Sequence, residues 1–192
     1  MSKRILSVLL GIGLLSLLAS LAGLAVFTDT ASVGGNTFTT GTVDISTAPA
    51  SALVTFSNMA PGDSITDDVV VSNAGSLELR YAVSSSATNA DALALKDALT
   101  LTIKTIDVTT PGTPCDDFDG TQLYTGDLDD GAGGLLVGDP AQGAQGGERT
   151  LAASTSETLC FRVALSSGAT GPEGASTTAT FTFDAEQTTS NP

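Results

Sequence analysis

The sequence predicts an all-β protein: an antiparallel, jelly-roll-like β-sandwich with one short helix and a glycine-rich insertion, preceded by a signal-peptide helix. Three observations point there. Several stretches alternate apolar and polar residues with period two, which turns one face inward and the other outward. Threonine occurs 28 times, always beyond residue 27, and its branched Cβ suits a pleated surface better than a helix interior. Turn residues punctuate these stretches at intervals of about ten residues, as in sandwiches. A chain of 192 residues supplies one core of this kind, so residues 26–192 are expected to form a single domain behind a leader at 1–25.

The elements follow in order. Lys3 and Arg4 precede a run from Ile5 to Phe27 that carries no charge, and Gly23-Leu24-Ala25 offers small residues where a signal peptidase cuts. Cleavage is expected between Ala25 and Val26. The run is also long enough to span a bilayer as an uncleaved anchor, which is the rival reading. A lipid anchor is disfavoured, because the leader holds no cysteine. Weak strands are expected at 37–46, 52–57, 65–73 and 99–106. Ala60-Pro61-Gly62-Asp63 and Asn73-Ala74-Gly75 are turn signals between strands. Leu77, Leu79, Tyr81 and Val83 alternate with Glu78, Arg80 and Ala82 to make a stronger strand. Asn89 is placed to cap a short helix over Ala90–Leu99. Residues 126–147 hold 8 glycines and little to bury, and read as a surface loop with a short strand at Leu135-Leu136-Val137. Two further strands alternate through Leu159, Phe161, Val163 and Leu165, and through Ala179, Phe181, Phe183 and Ala185. The tail from Gln187 is expected to be loose.

Charge and composition exclude most chemistries. The chain has 21 acidic and 7 basic residues, net −14; without Lys3 and Arg4 the mature chain has 5 basic residues and a net charge of −16. Nucleic-acid binding needs clustered Lys and Arg, so no nucleic-acid partner is expected, and the membrane is met only through the leader. With no histidine, no Ser-His or Cys-His pair and no HExxH zinc helix exists. Lys96 and Lys104 lie in no Ser-x-x-Lys motif. Adjacent carboxylates such as Asp67-Asp68 point to opposite faces of a strand, which does not suit glycoside hydrolysis. The expectation is no catalytic residue and no cofactor. Cys115 and Cys160, the only two thiols, are expected to form a disulfide in an oxidising compartment.

Calcium is the one metal the acids suggest. Asp116, Asp117 and Asp119 before Gly120 begin like a calcium loop, but Tyr124 and Thr125 stand where later ligands belong and no glutamate closes it. Asp127, Asp129 and Asp130 are further candidates for a noncontiguous site. The alternative, solvated turn carboxylates that keep the protein soluble, is the favoured reading.

Val26-Phe27-Thr28-Asp29-Thr30-Ala31, followed by Gly35-Asn36-Thr37-Phe38-Thr39-Thr40-Gly41-Thr42-Val43-Asp44-Ile45, resembles the mature start of the TasA/camelysin family. Met59-Ala60-Pro61-Gly62-Asp63 with Val69-Val70-Val71-Ser72-Asn73, and Ala179 to Thr188, extend the resemblance outside the glycine-rich insertion. The resemblance implies a jelly-roll-like fold, a leader removed by a SipW-type signal peptidase, and assembly into extracellular fibres with itself or related matrix subunits. The implied donor strand is Val26, Phe27, Thr28, Asp29, Thr30 and Ala31, given to a neighbour's sheet edge. A monomeric cell-surface binding or adhesin domain is the alternative. The metalloprotease activity ascribed to camelysin does not carry over, since no histidine is present to hold zinc.

Overall fold

A computed structural model describes residues 37, 39–51, 58–106, 115–129, 134–170 and 173–191. The chain divides into two compact units, Met1–Thr39 and Thr40–Pro192, and every described element belongs to the second. In chain order these are β1 (Ile45–Ala48), β2 (Ser64–Asn73), β3 (Leu79–Ala87), α1 (Leu95–Ala98), β4 (Leu99–Thr105), β5 (Gln122–Asp127), β6 (Leu135–Val137), β7 (Arg149–Leu151), β8 (Thr155–Leu165) and β9 (Ala179–Gln187). All strand pairs are antiparallel, and the fold is the all-β sandwich that the alternation predicts.

One sheet runs β1-β2-β8-β4-β5. In the other, β3 is central: Leu79–Tyr81 pair with β7 on one side and with β9 on the other, and β6 follows β7 along the first side. Between the sheets lie Val69, Val71, Leu101, Ile103, Leu159 and Phe161 from one and Leu79, Tyr81, Val83, Val137 and Leu151 from the other. The inward positions of β3 and β8 are those the period-two pattern marks. Phe161 meets Phe181 across the interior, edge to face, with ring centroids 5.2 Å apart. Such a pair adds about 1 kcal/mol beyond area burial.

Asn73 joins the sheets at the β2–β3 turn. It is 2 % exposed; its Nδ2 donates to the carbonyls of Leu77, Leu151 and Ala152 at 2.8, 3.2 and 3.1 Å. Its Oδ1 accepts from the Gly75 N–H at 2.9 Å. The turn also receives the segment leading into β1: Ala74 N donates to Asp44 O, and Ser76 N to Thr42 O. A Cβ on Gly75 would lie 2.3 Å from Thr42 O, so this close approach requires glycine.

The structure departs from the sequence reading at several elements. The helix expected over Ala90–Leu99 is a single turn, Leu95–Ala98. Ala92 and Ala94 sit at φ 57° and 56°, in the left-handed region, and Asn89 Oδ1 accepts from Ala94 N, closing a loop where the helix start was expected. From Leu99 the chain is captured by pairing with β8, so tertiary hydrogen bonds override helix propensity. The strand expected at 37–46 begins only at Ile45. Two strands were not expected at all: β5, rich in polar residues, and the three-residue β7. The strand expected at 52–57 lies outside the described residues.

The glycine-rich stretch 126–147 is not simply an outlying loop. Its first residues complete β5, Leu128 is 3 % exposed, and Leu136 and Val137 of β6 are buried against β3. Its later part folds back over the outer face of the second sheet. There Gly143 N donates to Glu186, and Glu148 lies 3.7 Å from the Arg80 guanidinium. That cover explains why Arg80, an outward position on β3, is only 8 % exposed.

Candidate functional site

The sandwich is closed along one side and open along the other. On the closed side β5 and β6 approach each other, Leu128 plugs the gap, and Ser85 Oγ donates to Leu128 O at 2.8 Å. On the open side stand β1 and β9, each with one partner strand among the described residues. Between them lies a cleft of about 250 Å³ lined by Thr47, Val69, Phe161, Phe181 and Phe183, with Pro49–Ser51 at its mouth. Phe161 forms the floor and is fully buried, whereas Phe181 and Phe183 on β9 are only half-buried. No lining residue is charged, in a chain with 21 carboxylates. Among the described residues, one main-chain edge of the nine-residue β9 has no partner strand, and it lies beside an apolar trough. Physically, that combination accepts an extended, largely apolar segment.

The polar residues form separate clusters. Tyr81, fully buried, donates its hydroxyl to Glu157 Oε1 at 2.8 Å, and Arg149 also pairs with Glu157. Burial, then the nearby Glu157 charge, pushes the Tyr81 phenol far above its ordinary range, so it remains a donor at any physiological pH. Arg80 ties three segments together. Its Nε donates to Glu186 Oε1 at 2.6 Å, its Nη2 donates to the Asn191 carbonyl, and Glu148 flanks it. The hydrogen bond from Arg80 holds Glu186 below its ordinary value. These groups bind segments of the chain to one another, and none faces the cleft.

The calcium candidates do not converge among the described residues. Asp116, Asp117 and Asp119 are exposed on the turn around Phe118, Asp127 is exposed at the end of β5, and Asp129 pairs with Lys96 at 3.0 Å. Asp130 lies outside the described residues. No three acidic side chains are grouped to hold a metal ion among the described residues. Phe118 itself is buried, with the Arg162 guanidinium 3.8 Å and the Lys104 ammonium 4.8 Å from its ring centroid.

Cys115 and Cys160 are joined in a disulfide, with Cα atoms 5.5 Å apart. Cys160 occupies an outward position of β8, so the bridge builds a small cluster with Phe118 and Ile106 outside the main core. The expected leader, the expected cleavage between Ala25 and Val26, and the expected donor segment Val26–Ala31 lie outside the described residues. The sequence reading missed the cleft. Alternation at Ala179, Phe181, Phe183 and Ala185 marks an inward face, but it does not reveal that β9 would stand at an edge with no second partner among the described residues.

In comparison with known proteins, residues 1–98 match the family described as "Camelysin metallo-endopeptidase". No curated protein matches the chain.

Proposed function

Because the chain belongs to the camelysin metallo-endopeptidase family, we propose that it is a secreted structural subunit of extracellular matrix or surface fibres, assembling when each copy gives Val26–Ala31 to a neighbour. The observation that carries this reading is the uncharged cleft between β1 and β9. A strand laid along the edge of β9 that has no partner among the described residues gains main-chain hydrogen bonds, and its apolar side chains cover Phe181 and Phe183. Val26 and Phe27 supply such side chains, and Thr28, Thr30 and Ala31 suit a strand. The uncharged run after Lys3-Arg4 supports export, and removal of that run leaves Val26 as a free end.

A contact in which one copy gives a strand and the next accepts it joins unlike surfaces, so it builds a chain of subunits in place of a closed pair.

Negative-stain microscopy of the mature protein beside a variant lacking Val26–Ala31 tests this. Filaments are expected from the first and monomers from the second, and the shortened variant should still accept a donor and cap growing ends. If both make the same filaments, strand donation is wrong. If both remain monomeric at high concentration and high salt, the monomeric surface-binding reading replaces the fibre.

A further inference from the structure

We infer that this member of a family described as metallo-endopeptidases has no seat for a catalytic metal, and that the family match recognises the leader-like apolar run and the first three strands, not a hydrolytic centre. The match covers residues 1–98, which hold β1, β2, β3 and α1 but neither a histidine nor a cysteine. A hydrolytic zinc needs about three protein ligands, drawn from imidazole, thiolate and carboxylate, and an open position for water. Within the matched stretch only carboxylates remain, and among the described residues they form no group of three that could hold an ion.

Five of the seven described carboxylates in that stretch are engaged locally. Asp63 Oδ2 accepts from the Ala60 N–H and Asp67 Oδ1 from the Asp68 N–H, each at a turn or along its own strand. Asp67 and Asp68, as neighbours on β2, project to opposite faces of the sheet. Glu78 accepts from the Thr188 hydroxyl, Asp91 accepts from Leu93 and Ser176, and Asp97 pairs with Lys96.

Among the described residues the second half does not complete a site. Its two sulfurs are spent on the Cys115–Cys160 bridge. Glu157 is committed to Tyr81 and Arg149, Glu186 to Arg80, and Asp129 to Lys96. The densest acidic turn, Asp116 to Asp119, encloses a phenylalanine ring that already carries an ammonium and a guanidinium on it. A divalent ion there would be placed beside two cations, which Coulomb repulsion disfavours. The acids beyond the described residues are Asp29, Asp107 and Asp130, so no imidazole or thiolate is held in reserve. Oxygen-only donors suit hard ions more than zinc.

The test does not depend on fibre formation. The exported protein is purified from medium supplemented with zinc and calcium, dialysed, and measured for metal content and for thermal midpoint with and without chelator. Casein hydrolysis is followed across a size-exclusion profile. The expected result is substoichiometric zinc and calcium, a midpoint unchanged by chelator, and no casein-cleaving activity co-eluting with the protein. Stoichiometric metal that survives dialysis, a midpoint lowered by chelator, or co-eluting activity abolished by chelator would each overturn the inference.

Discussion

Asn73 ties two sheets together with one side chain, because its amide serves three carbonyls and one N–H. Replacement by alanine leaves those groups buried without partners, at a cost of roughly 3 kcal/mol. Urea denaturation should show that loss as a lower midpoint with an unchanged slope. Arg80 makes a different prediction. Its hydrogen bond, assisted by the Asn191 amide and the Gly143 N–H, holds the Glu186 carboxyl below its ordinary 4.5. A depressed carboxylate contributes stability above its unfolded value and loses it as pH falls through the folded value. The stability gap between wild type and Arg80→Met should therefore be full above pH 4.5 and close steadily below it. A gap that stays constant through that range would show that Arg80 acts by packing alone. Neither role was legible in the sequence. Asn73 reads there as a turn former, and Arg80 as the solvated side of an alternating strand.

At the scale of elements, the strands with strict alternation were legible, because their two faces meet different surroundings. β5 and β7 were not, since their pairing comes from neighbours: β5 hydrogen-bonds along β4, and β7 is held by only three residues of β3. The helix failed mostly at its start, where Ala92 and Ala94 turn left-handed and Asn89 closes a loop, and Leu99 at its end belongs to β4. The disulfide was legible as a pair, whereas its position on the outside of the sheet was not. That position leads to a prediction. The bridge closes a separation of 45 residues, so replacing both cysteines with alanine should lower stability by about 4 kcal/mol in the chain-entropy picture. Because the main cluster contains neither sulfur nor Phe118, the variant should keep native near-UV and far-UV circular dichroism in water. A molten spectrum would mean that the outer cluster is needed to hold the sheets in register.

For the whole molecule, charge is the governing quantity. All five basic residues beyond Arg4 are engaged within the chain: Arg80, Lys96 and Arg149 with carboxylates, Lys104 and Arg162 over Phe118. What copies show one another is therefore mainly negative. Such repulsion is screened beyond about 10 Å at 0.1 M salt. Association followed by light scattering should rise with ionic strength, and sodium and calcium salts matched in ionic strength should act nearly alike. A sharp calcium preference at low concentration would point to a bound ion in place of screening. A Phe181→Ser variant separates the cleft from the charge. It should remain a folded monomer, since Phe181 is half-buried, yet fail to associate at any salt.

The order of strands also sets a clock. β8 lies between β2 and β4, pairing Asp67 with Phe161, while β3 lies along β9, pairing Leu79 with Gln187. The longest pairing in each sheet waits for β8 or β9, which ribosomes deliver after the strands they pair with. Contacts so distant in sequence form slowly, because each closes a long loop before any interaction rewards it. A nascent chain of this design stays loose while it is being made. That is the state in which a polypeptide threads a narrow pore, and in it the apolar trough beside β9 does not yet exist to capture a stray strand.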